Sequence, residues 1–321
     1  MATRGYFAVD IGGTKLSVGV VSLSGEVLSH GRATTPQTNV WDALSDLIKS
    51  QLKLTDVELV GCGVGCGGPM TPNGDLVSTL HINEWRDFPL RAKLQDLLQM
   101  PVFIDNDAKA LVQGEVWCGA VAGQTDVIGM VVSTGVGGGI ISGGKILDGR
   151  IGNAGHIGHV IVEPDGRLCA CGSHGCLEAH ASGRSIEAIT GKPAAQASPE
   201  VIANTGRLVA RALVSVDAIM DLRSAVIAGS VALGFGEPFF EAVQSELDRS
   251  AKIEFICDFT VCPAGLGQLS PLVGAAAVAR NLGLLFLQEI RCPSKLAEVF
   301  RPKMLGPSRD ILQPEAHIRV S

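Results

Sequence analysis

The stretch Tyr6-Phe7-Ala8-Val9-Asp10-Ile11-Gly12-Gly13-Thr14-Lys15-Leu16 decides which fold the chain can adopt. An apolar run ends at Asp10, two glycines follow, and a new apolar run begins at Leu16, which predicts a strand, a glycine turn and a second strand. In such a turn, backbone N–H groups together with Thr14 and Lys15 can contact a phosphate, and Asp10 can hold Mg²⁺ through water. A hairpin whose glycines serve only the turn is the alternative. Since no helix follows the glycines, the stretch is neither a Walker loop nor a dinucleotide-binding fingerprint.

A second glycine turn, Ser133-Thr134-Gly135-Val136-Gly137-Gly138-Gly139, follows the apolar run at 127–132. Strand, glycine turn, strand and hairpin therefore occur in the same order near 6–32 and near 127–147, which indicates a weak internal duplication. Two related lobes would each contribute one glycine loop to the same nucleotide. The residues predicted to bind the nucleotide and its Mg²⁺ are Asp10, Gly12, Gly13, Thr14, Lys15, Thr134, Gly135, Gly137 and Gly138.

Apolar periodicity predicts alternating strands and helices along the rest of the chain. The predicted strands lie at 16–21, 27–32, 59–65, 102–104, 225–228 and 259–262. The predicted helices lie near 44–52, 90–98, 178–190, 200–220, 237–250 and 271–285, with Asn39 as the N-cap of the first. We predict an N-terminal lobe over 1–107, a C-terminal lobe over 108–270, and a tail over 287–321 with no assigned role. The helix near 271–286 is a candidate addition to the first lobe.

Composition restricts the class of ligand. With 321 residues, of which 46% are hydrophobic and 18% charged, the chain has the length of two α/β lobes with a cleft between them. A net charge of −6 provides no positive face for nucleic acid or an anionic membrane, so a small molecule is the expected partner. The chain has no apolar run of about 20 residues and no signal-peptide pattern, which predicts a cytoplasmic protein.

Asp105-Asn106-Asp107 follows the predicted strand at 102–104. Side chains at the carboxyl end of a strand lie where α/β sheets usually bind ligands. Transfer of a phosphoryl group to a hydroxyl needs a carboxylate that accepts the proton, and Asp107 is the candidate. An acidic turn or a helix N-cap before Ala108 is the alternative.

A cluster of metal-ligand residues follows in the second half: His159, Cys169, Cys171 and Cys176. One imidazole and three thiolates fill the tetrahedral shell of Zn²⁺, which predicts a structural ion with no open position; free thiols are the alternative. Nine cysteines without a secretion signal argue against a disulfide framework. The remaining six are predicted to be structural packing residues: Cys62, Cys66, Cys118, Cys257, Cys262 and Cys292.

Taken together, these motifs resemble the ROK family of sugar kinases and repressors over residues 5–286. The matching segments, in the family's order, are 10–15, 106–108, 134–139, 155–159 and 169–178. The resemblance implies the two-lobed α/β fold of actin and hexokinase, built from duplicated ribonuclease-H-like domains, with a zinc-stapled loop. It also implies phosphorylation of a hexose at its 6-hydroxyl by ATP with Mg²⁺, glucose being the first choice, in a homodimer.

The resemblance assigns roles to individual residues. Asp107 takes the place of the general base, His159 is both a zinc ligand and a sugar contact, and adenine is expected near Gly229 and Ser230. The residues implied to contact the sugar are Gly68, Asn83, Asn106, Asp107, His156, His159 and Glu178.

Three features depart from the family pattern. His156 stands where a glutamate is common, and because a neutral imidazole both donates and accepts a hydrogen bond, the preference at C1 or C2 of the sugar is open. N-acetylmannosamine and N-acetylglucosamine therefore remain alternatives to glucose, as polyphosphate does to ATP. Ala228 stands before Gly229 where a further glycine is usual, and the connection after Gly183 is shorter than usual.

A non-catalytic sugar sensor or a transcriptional regulator is the alternative from another class. Asp10 lies so near the start of the sequence that we expect no helix-turn-helix before it, and the chain is acidic. Both glycine loops, Asp10 and Asp107 are present, which favours an enzyme.

Overall fold

The structure is a computed structural model that describes residues 3–79 and 81–290, with side chains as far as Gly283. The described residues up to Gly283 form one compact unit, and the described residues 284–290, at the end of the chain's last helix, belong to a second. Residues 291–321, which hold most of the predicted tail and Cys292, lie outside the described residues. Among the described helices none is both long enough and apolar enough to cross a membrane.

The first sheet is built from the β-rich runs of residues 4–106. Its strands are β1 (Arg4–Ile11), β2 (Lys15–Ser22), β3 (Val27–Thr34), β4 (Glu58–Cys66) and β5 (Val102–Asn106), and its connections include α1 (Val40–Leu52) and α2 (Leu90–Leu98). The spatial order is β3-β2-β1-β4-β5, with β1, β2 and β3 antiparallel and β4 and β5 parallel to β1. The edge strand β3 alternates half-buried and exposed side chains, whereas β1 and β2 are buried along most of their length because helices cover the sheet.

The second sheet repeats this arrangement. Its strands are β6 (Val127–Val132), β7 (Val136–Ser142), β8 (Lys145–Ile146), β9 (Ser224–Ala228) and β10 (Thr260–Pro263). The spatial order is β10-β9-β6-β7-β8, so an antiparallel meander of three strands is again followed by two strands parallel to the first. The common strand order confirms the internal duplication that the two glycine turns predict.

The remaining helices connect and cover the two sheets. They are α3 (Asp107–Cys118), α4 (Glu178–Ala181), α5 (Gly183–Thr190), α6 (Pro199–Met220), α7 (Ser230–Phe235), α8 (Glu237–Ser250) and α9 (Ser270–Ile290). Helix α3 starts directly at the end of β5 and packs against β6 and β7 of the second sheet. The start of α9 returns to the first sheet, where Leu272, Ala275 and Ala276 form a cluster with Ala8 and Val21.

Several sequence predictions need correction. The helix predicted at 178–190 is two helices, because Ser182 is extended and its hydroxyl caps α5 at the N–H of Ser185. Asn39 precedes α1 as predicted, but its side chain makes no capping bond; the Glu84 carboxylate accepts the N–H groups of Asn39 and Val40 at 2.9 and 2.6 Å instead.

Two further differences concern features with weak sequence signals. Helix α3 was not among the predicted helices, because it is buried on nearly every side and its sequence shows no alternation between an apolar and a polar face. Of the cysteines predicted to pack in the interior, Cys62 and Cys66 are buried, Cys118 and Cys262 are half-buried, and Cys257 is exposed.

Candidate active site

A cavity of about 470 Å³ lies where the carboxyl-terminal ends of β1, β4, β5 and β6 meet. Both sheets contribute to its walls, as expected for a ligand site in an α/β protein. Its polar and glycine lining includes Gly12, Gly13, Gly68, His81, Asn106, Asp107, Lys109, Ser133, Thr134, Gly135, Gly137, Gly138, Asn153, His156 and Glu178. The two glycine turns, which are more than a hundred positions apart in sequence, thus border one space.

Most of the residues that the sequence singles out line this cavity. Those at the wall are Gly12, Gly13, Gly68, Asn106, Asp107, Thr134, Gly135, Gly137, Gly138, His156 and Glu178. Those outside the lining are Asp10, Thr14, Lys15, Asn83, His159, Gly229 and Ser230. Asn83 is exposed, and the neighbouring His81 borders the cavity instead. Ser230 lies behind the second glycine turn, 2.9 Å from Ser133 between their hydroxyl oxygens.

Asp107 is the first residue of α3, and the start of this helix fixes its position. The Asn106 side chain accepts the N–H of Ala108 at 3.0 Å as the N-cap, and the Asp107 carboxylate accepts the same N–H at 2.9 Å. The carboxylate opens into the cavity but is enclosed by its walls, and this desolvation raises the pKa of Asp107 above its ordinary value. The hydrogen bond from Ala108 and the nearby His81 and His156 act in the opposite direction.

Asp10 stands at the end of β1, close to Asp107. Burial and the negative charge of Asp107 together raise the pKa of Asp10 to about 7, whereas Lys15 and Arg32 oppose the shift. Two carboxylates near one cavity, both with raised pKa values, are typical of a site that binds a cation or transfers a proton.

The three glycines of β7 allow other segments to come close to its backbone. A Cβ atom on Gly138 would lie 2.9 Å from the Gly129 carbonyl oxygen and 2.9 Å from Cγ2 of Ile157. Gly155 has a φ of 100°, and a Cβ atom there would lie 2.6 Å from the Gly138 carbonyl oxygen. The contact between Gly138 and Gly155 places His156, the next residue, at the cavity wall.

Glu178, the first residue of α4, connects the cavity to the second glycine turn. Its Oε2 accepts the N–H of Val136 at 2.9 Å, where the turn enters β7. A Cβ atom on Gly135 would lie 2.9 Å from the same oxygen, so a larger residue at this position would displace the Glu178 carboxylate. One carboxylate therefore lines the cavity and holds the turn in place.

His159, Cys169, Cys171 and Cys176 come together next to this wall, and their ligand atoms all lie within 4.8 Å of one another. The Cys171 and Cys176 sulfurs are 3.7 Å apart, and the Cys169 sulfur is 3.8 Å from Nδ1 of His159. Tetrahedral zinc with Zn–S bonds of about 2.3 Å would separate neighbouring sulfurs by about 3.8 Å. The donor set therefore fits zinc in both chemistry and spacing. His159 does not line the cavity, but its ring centroid is 6.2 Å from that of His156, which does.

The side chains of the cavity wall that were not predicted from the sequence include His81, Lys109 and Asn153. His81 and Asn153 lie in irregular segments without a motif. Lys109 had a weak signal, since a charged residue within the buried run of α3 is unusual unless it is paired.

Comparisons with known proteins agree on one family. A family model described as "ROK family" matches residues 6–282. The glucokinase of Streptomyces coelicolor is 40% identical over 194 residues, so the match spans 60% of this chain and only 60% of that enzyme. The N-acetylmannosamine kinase of Escherichia coli is 33% identical over 246 residues, which cover 71% of this chain and 84% of that enzyme.

A similar structure was solved with ligands bound. The ROK family glucokinase from Streptomyces griseus, in complex with glucose and AMPPNP, has a TM-score of 0.72 to this chain at 31% identity. The superposition covers 86% of this chain and 99% of that one.

Proposed function

We propose that this chain, which belongs to the ROK family, is an ATP-dependent sugar kinase that phosphorylates a hexose at its 6-hydroxyl. The observation that carries the proposal is the position of Asp107, whose carboxylate faces one cavity bordered by both glycine turns. A sensor that only binds sugar has no need of a desolvated carboxylate between two phosphate-sized turns.

Each side of the cavity has its own part in this reaction. The turn with Gly12 and Gly13 and the turn with Thr134 and Gly135 hold the polyphosphate through backbone N–H groups. Thr14 and Lys15 add donors from the first turn, and we expect adenine to bind near Gly229 and Ser230. Mg²⁺, when bound, neutralises the phosphates, and Asp10 is the carboxylate we expect to hold it through water.

Asp107 accepts the proton of the sugar hydroxyl as that oxygen attacks the γ-phosphorus. Its raised pKa brings its basicity closer to that of a proton acceptor working near neutral pH. Asn106, Gly68 and Glu178 contact the sugar hydroxyls in this proposal, and enclosure by the walls keeps water from the phosphoryl group.

Glucose is the first candidate substrate, and N-acetylmannosamine and N-acetylglucosamine are the alternatives. Relatives named glucokinase and N-acetylmannosamine kinase are both similar to this chain, so similarity alone leaves the sugar open. His156 supports the amino-sugar alternative, because an imidazole N–H can donate to an acetamido carbonyl and a carboxylate cannot.

We infer that His159, Cys169, Cys171 and Cys176 hold one structural zinc ion. Four protein ligands leave no position for substrate, so the ion would stabilise the loop that leads into α4 and support the wall at His156. A homodimer is part of the same proposal, and sedimentation velocity tests it.

The decisive experiment measures ADP release from Mg-ATP with glucose, mannose, N-acetylglucosamine, N-acetylmannosamine, fructose and allose. Asp107→Asn is the blank, with kcat reduced by about 100-fold to 10,000-fold and sugar affinity close to wild type. Asp96→Asn, an exposed substitution on α2, is the matched control and should keep full activity. Polyphosphate in place of ATP tests the donor.

Turnover of at least one sugar that is lost in Asp107→Asn supports the kinase. Sugar binding without turnover by the wild-type protein would instead indicate a sensor or a regulator.

A further inference from the structure

One buried lysine in the cavity wall has no part in the mechanism above. Lys109 lies in the first turn of α3 with only 2% of its side chain exposed. Its Nζ is 3.0 Å from the Asp105 carboxylate and 2.5 Å from the Asp148 carboxylate. Burial alone would lower the pKa of Lys109, but the two carboxylates outweigh it and keep the amine charged. A buried ammonium between two carboxylates is a fixed, charge-assisted contact rather than a mobile surface pair.

The two carboxylates belong to different parts of the structure. Asp105 lies at the end of β5, and its second oxygen accepts a hydrogen bond from Gln113 at 3.1 Å. Gln113 in turn accepts one from Asn281 of α9 at 3.0 Å, so this side of the lysine is anchored in the interior. Asp148 lies in the segment after β8, with 59% of its side chain exposed.

Lys109 reaches Asp148 by passing over β7. A Cβ atom on Gly139 would lie 2.7 Å from the Cα of Lys109 and 3.1 Å from its Cγ, so the glycine provides the path. The connection therefore runs from the helix that begins with Asp107, across β7, to the segment that follows β8.

The segment tethered by Asp148 forms part of the cavity wall. The Asp148 carbonyl accepts the N–H of Ala154 at 3.0 Å, which closes residues 148–154 into a loop. Gly152, Asn153 and Ala154 of this loop line the cavity, and His156 follows at the contact of Gly155 with Gly138. The loop thus has two anchors, the Gly155 contact at one end and the Lys109–Asp148 pair at the other.

We propose that Lys109 is a positioning residue, which through Asp148 sets the position of Asn153 and His156 relative to Asp107 and so controls sugar binding. The inference rests on the proposed function, because it assigns this loop to the sugar. Within the part of the chain that the structure describes, no hydrogen bond or ion pair joins Lys109 or Asp148 to the turn at 12–15 or the turn at 133–136, so we expect nucleotide binding to be independent of the pair.

Asp148→Asn in the full-length protein is the main test. It removes the charge at the loop end, keeps the side-chain shape, and leaves the Asp105–Lys109 pair intact. We expect KM for the sugar to rise by about threefold to tenfold, because one charge-assisted contact of an exposed carboxylate is lost. KM for ATP should stay unchanged within about twofold. Asp148→Glu, which retains the carboxylate, should restore part of the affinity. Asp46→Asn, which breaks an exposed Lys–Asp pair on α1, is the matched control and should leave both KM values unchanged.

Lys109→Met removes the connection from the other end, at the expense of leaving Asp105 buried without its cation. If it folds, its effect on the sugar KM and that of Asp148→Asn should not add in the double variant, because both remove the same contact. Equal increases in the KM values for sugar and ATP, or no increase in either, would overturn the positioning role.

Hydrogen exchange separates this inference from the proposed function. Amides of residues 147–156 should exchange faster in Asp148→Asn than in wild type, whatever the reaction is. Faster exchange in Asp148→Asn, combined with a wild-type protein that phosphorylates no sugar, would retain the tether and reject the kinase. Unchanged exchange in an active kinase would reject the tether alone.

Discussion

Because Gly155 lies close to Gly138, the substitution Gly155→Ala tests quantitatively how tightly the loop before His156 packs against β7. A side chain at a φ of 100° costs about 1 kcal/mol in backbone strain. The added Cβ would also lie 2.6 Å from the Gly138 carbonyl oxygen, an overpacked contact that costs about 1–3 kcal/mol more. The expected loss in the free energy of unfolding is therefore about 2–4 kcal/mol.

This loss converts to a measurable change in melting temperature. With an unfolding entropy of about 2.1 cal/mol/K per residue, a chain of 321 residues loses about 1.5 °C for each kcal/mol. Gly155→Ala should thus lower the Tm by about 3–6 °C in scanning calorimetry. Because relief of the clash moves His156, KM for the sugar should rise while KM for ATP changes little.

Gly191→Ala is the matched control, since Gly191 also has a positive φ of 70° but a Cβ atom there would meet nothing within 4 Å. Gly191→Ala introduces the backbone strain but no clash, and it should lower the Tm by about 1–2 °C. Equal Tm changes for the two variants would refute the close packing of the loop against β7. An unchanged sugar KM in Gly155→Ala would refute the role of Gly155 in positioning His156.

Three further predictions concern the zinc cluster, the second glycine turn, and the two carboxylates with raised pKa values, Asp10 and Asp107. Cys171→Ser should reduce zinc from about one ion per chain to a substoichiometric amount and lower the Tm, as metal analysis and calorimetry on the same sample would show; full zinc occupancy in the variant would contradict the ligand set. Glu178→Gln keeps an acceptor for the N–H of Val136 but loses its charge, so kcat/KM should fall by about tenfold in the ADP-release assay, and an unchanged value would remove Glu178 from the site. The pKa of Asp10 is raised to about 7, and that of Asp107 is also raised. Because both carboxylates act in their ionised forms, kcat/KM should decline as the pH falls below about 7. A profile that stays flat down to about pH 5 would exclude both assignments.

Most of the fold could be predicted from local sequence patterns. The two-lobed, actin-like α/β fold predicted from the glycine turns and the family motifs is confirmed by the family match and by the similarity to the Streptomyces griseus glucokinase. Strand runs rich in β-branched residues predicted β1, β2, β3 and β4 within one or two residues of their bounds. These predictions succeed because alternation, glycine turns and ligand spacing are properties of short segments.

Features that depend on distant partners could not be predicted in this way. Helix α3 is buried on nearly all sides by both sheets, so its sequence lacks the one-sided apolar pattern of a surface helix. The N-cap of α1 is completed by Glu84, a residue more than 40 positions away.

The sequence by itself determined the repeated succession of strand, glycine turn, strand and hairpin, Asp107 as the candidate base and the four candidate zinc ligands. The tertiary structure alone decided that His81 rather than Asn83 borders the cavity, that the charge of Asp107 helps to raise the pKa of Asp10, and that Lys109 joins Asp105 to Asp148. The physical reason is that hydrogen bonds and charge interactions join residues that are close in space but far apart in sequence. Sequence patterns extend over only a few positions along the chain.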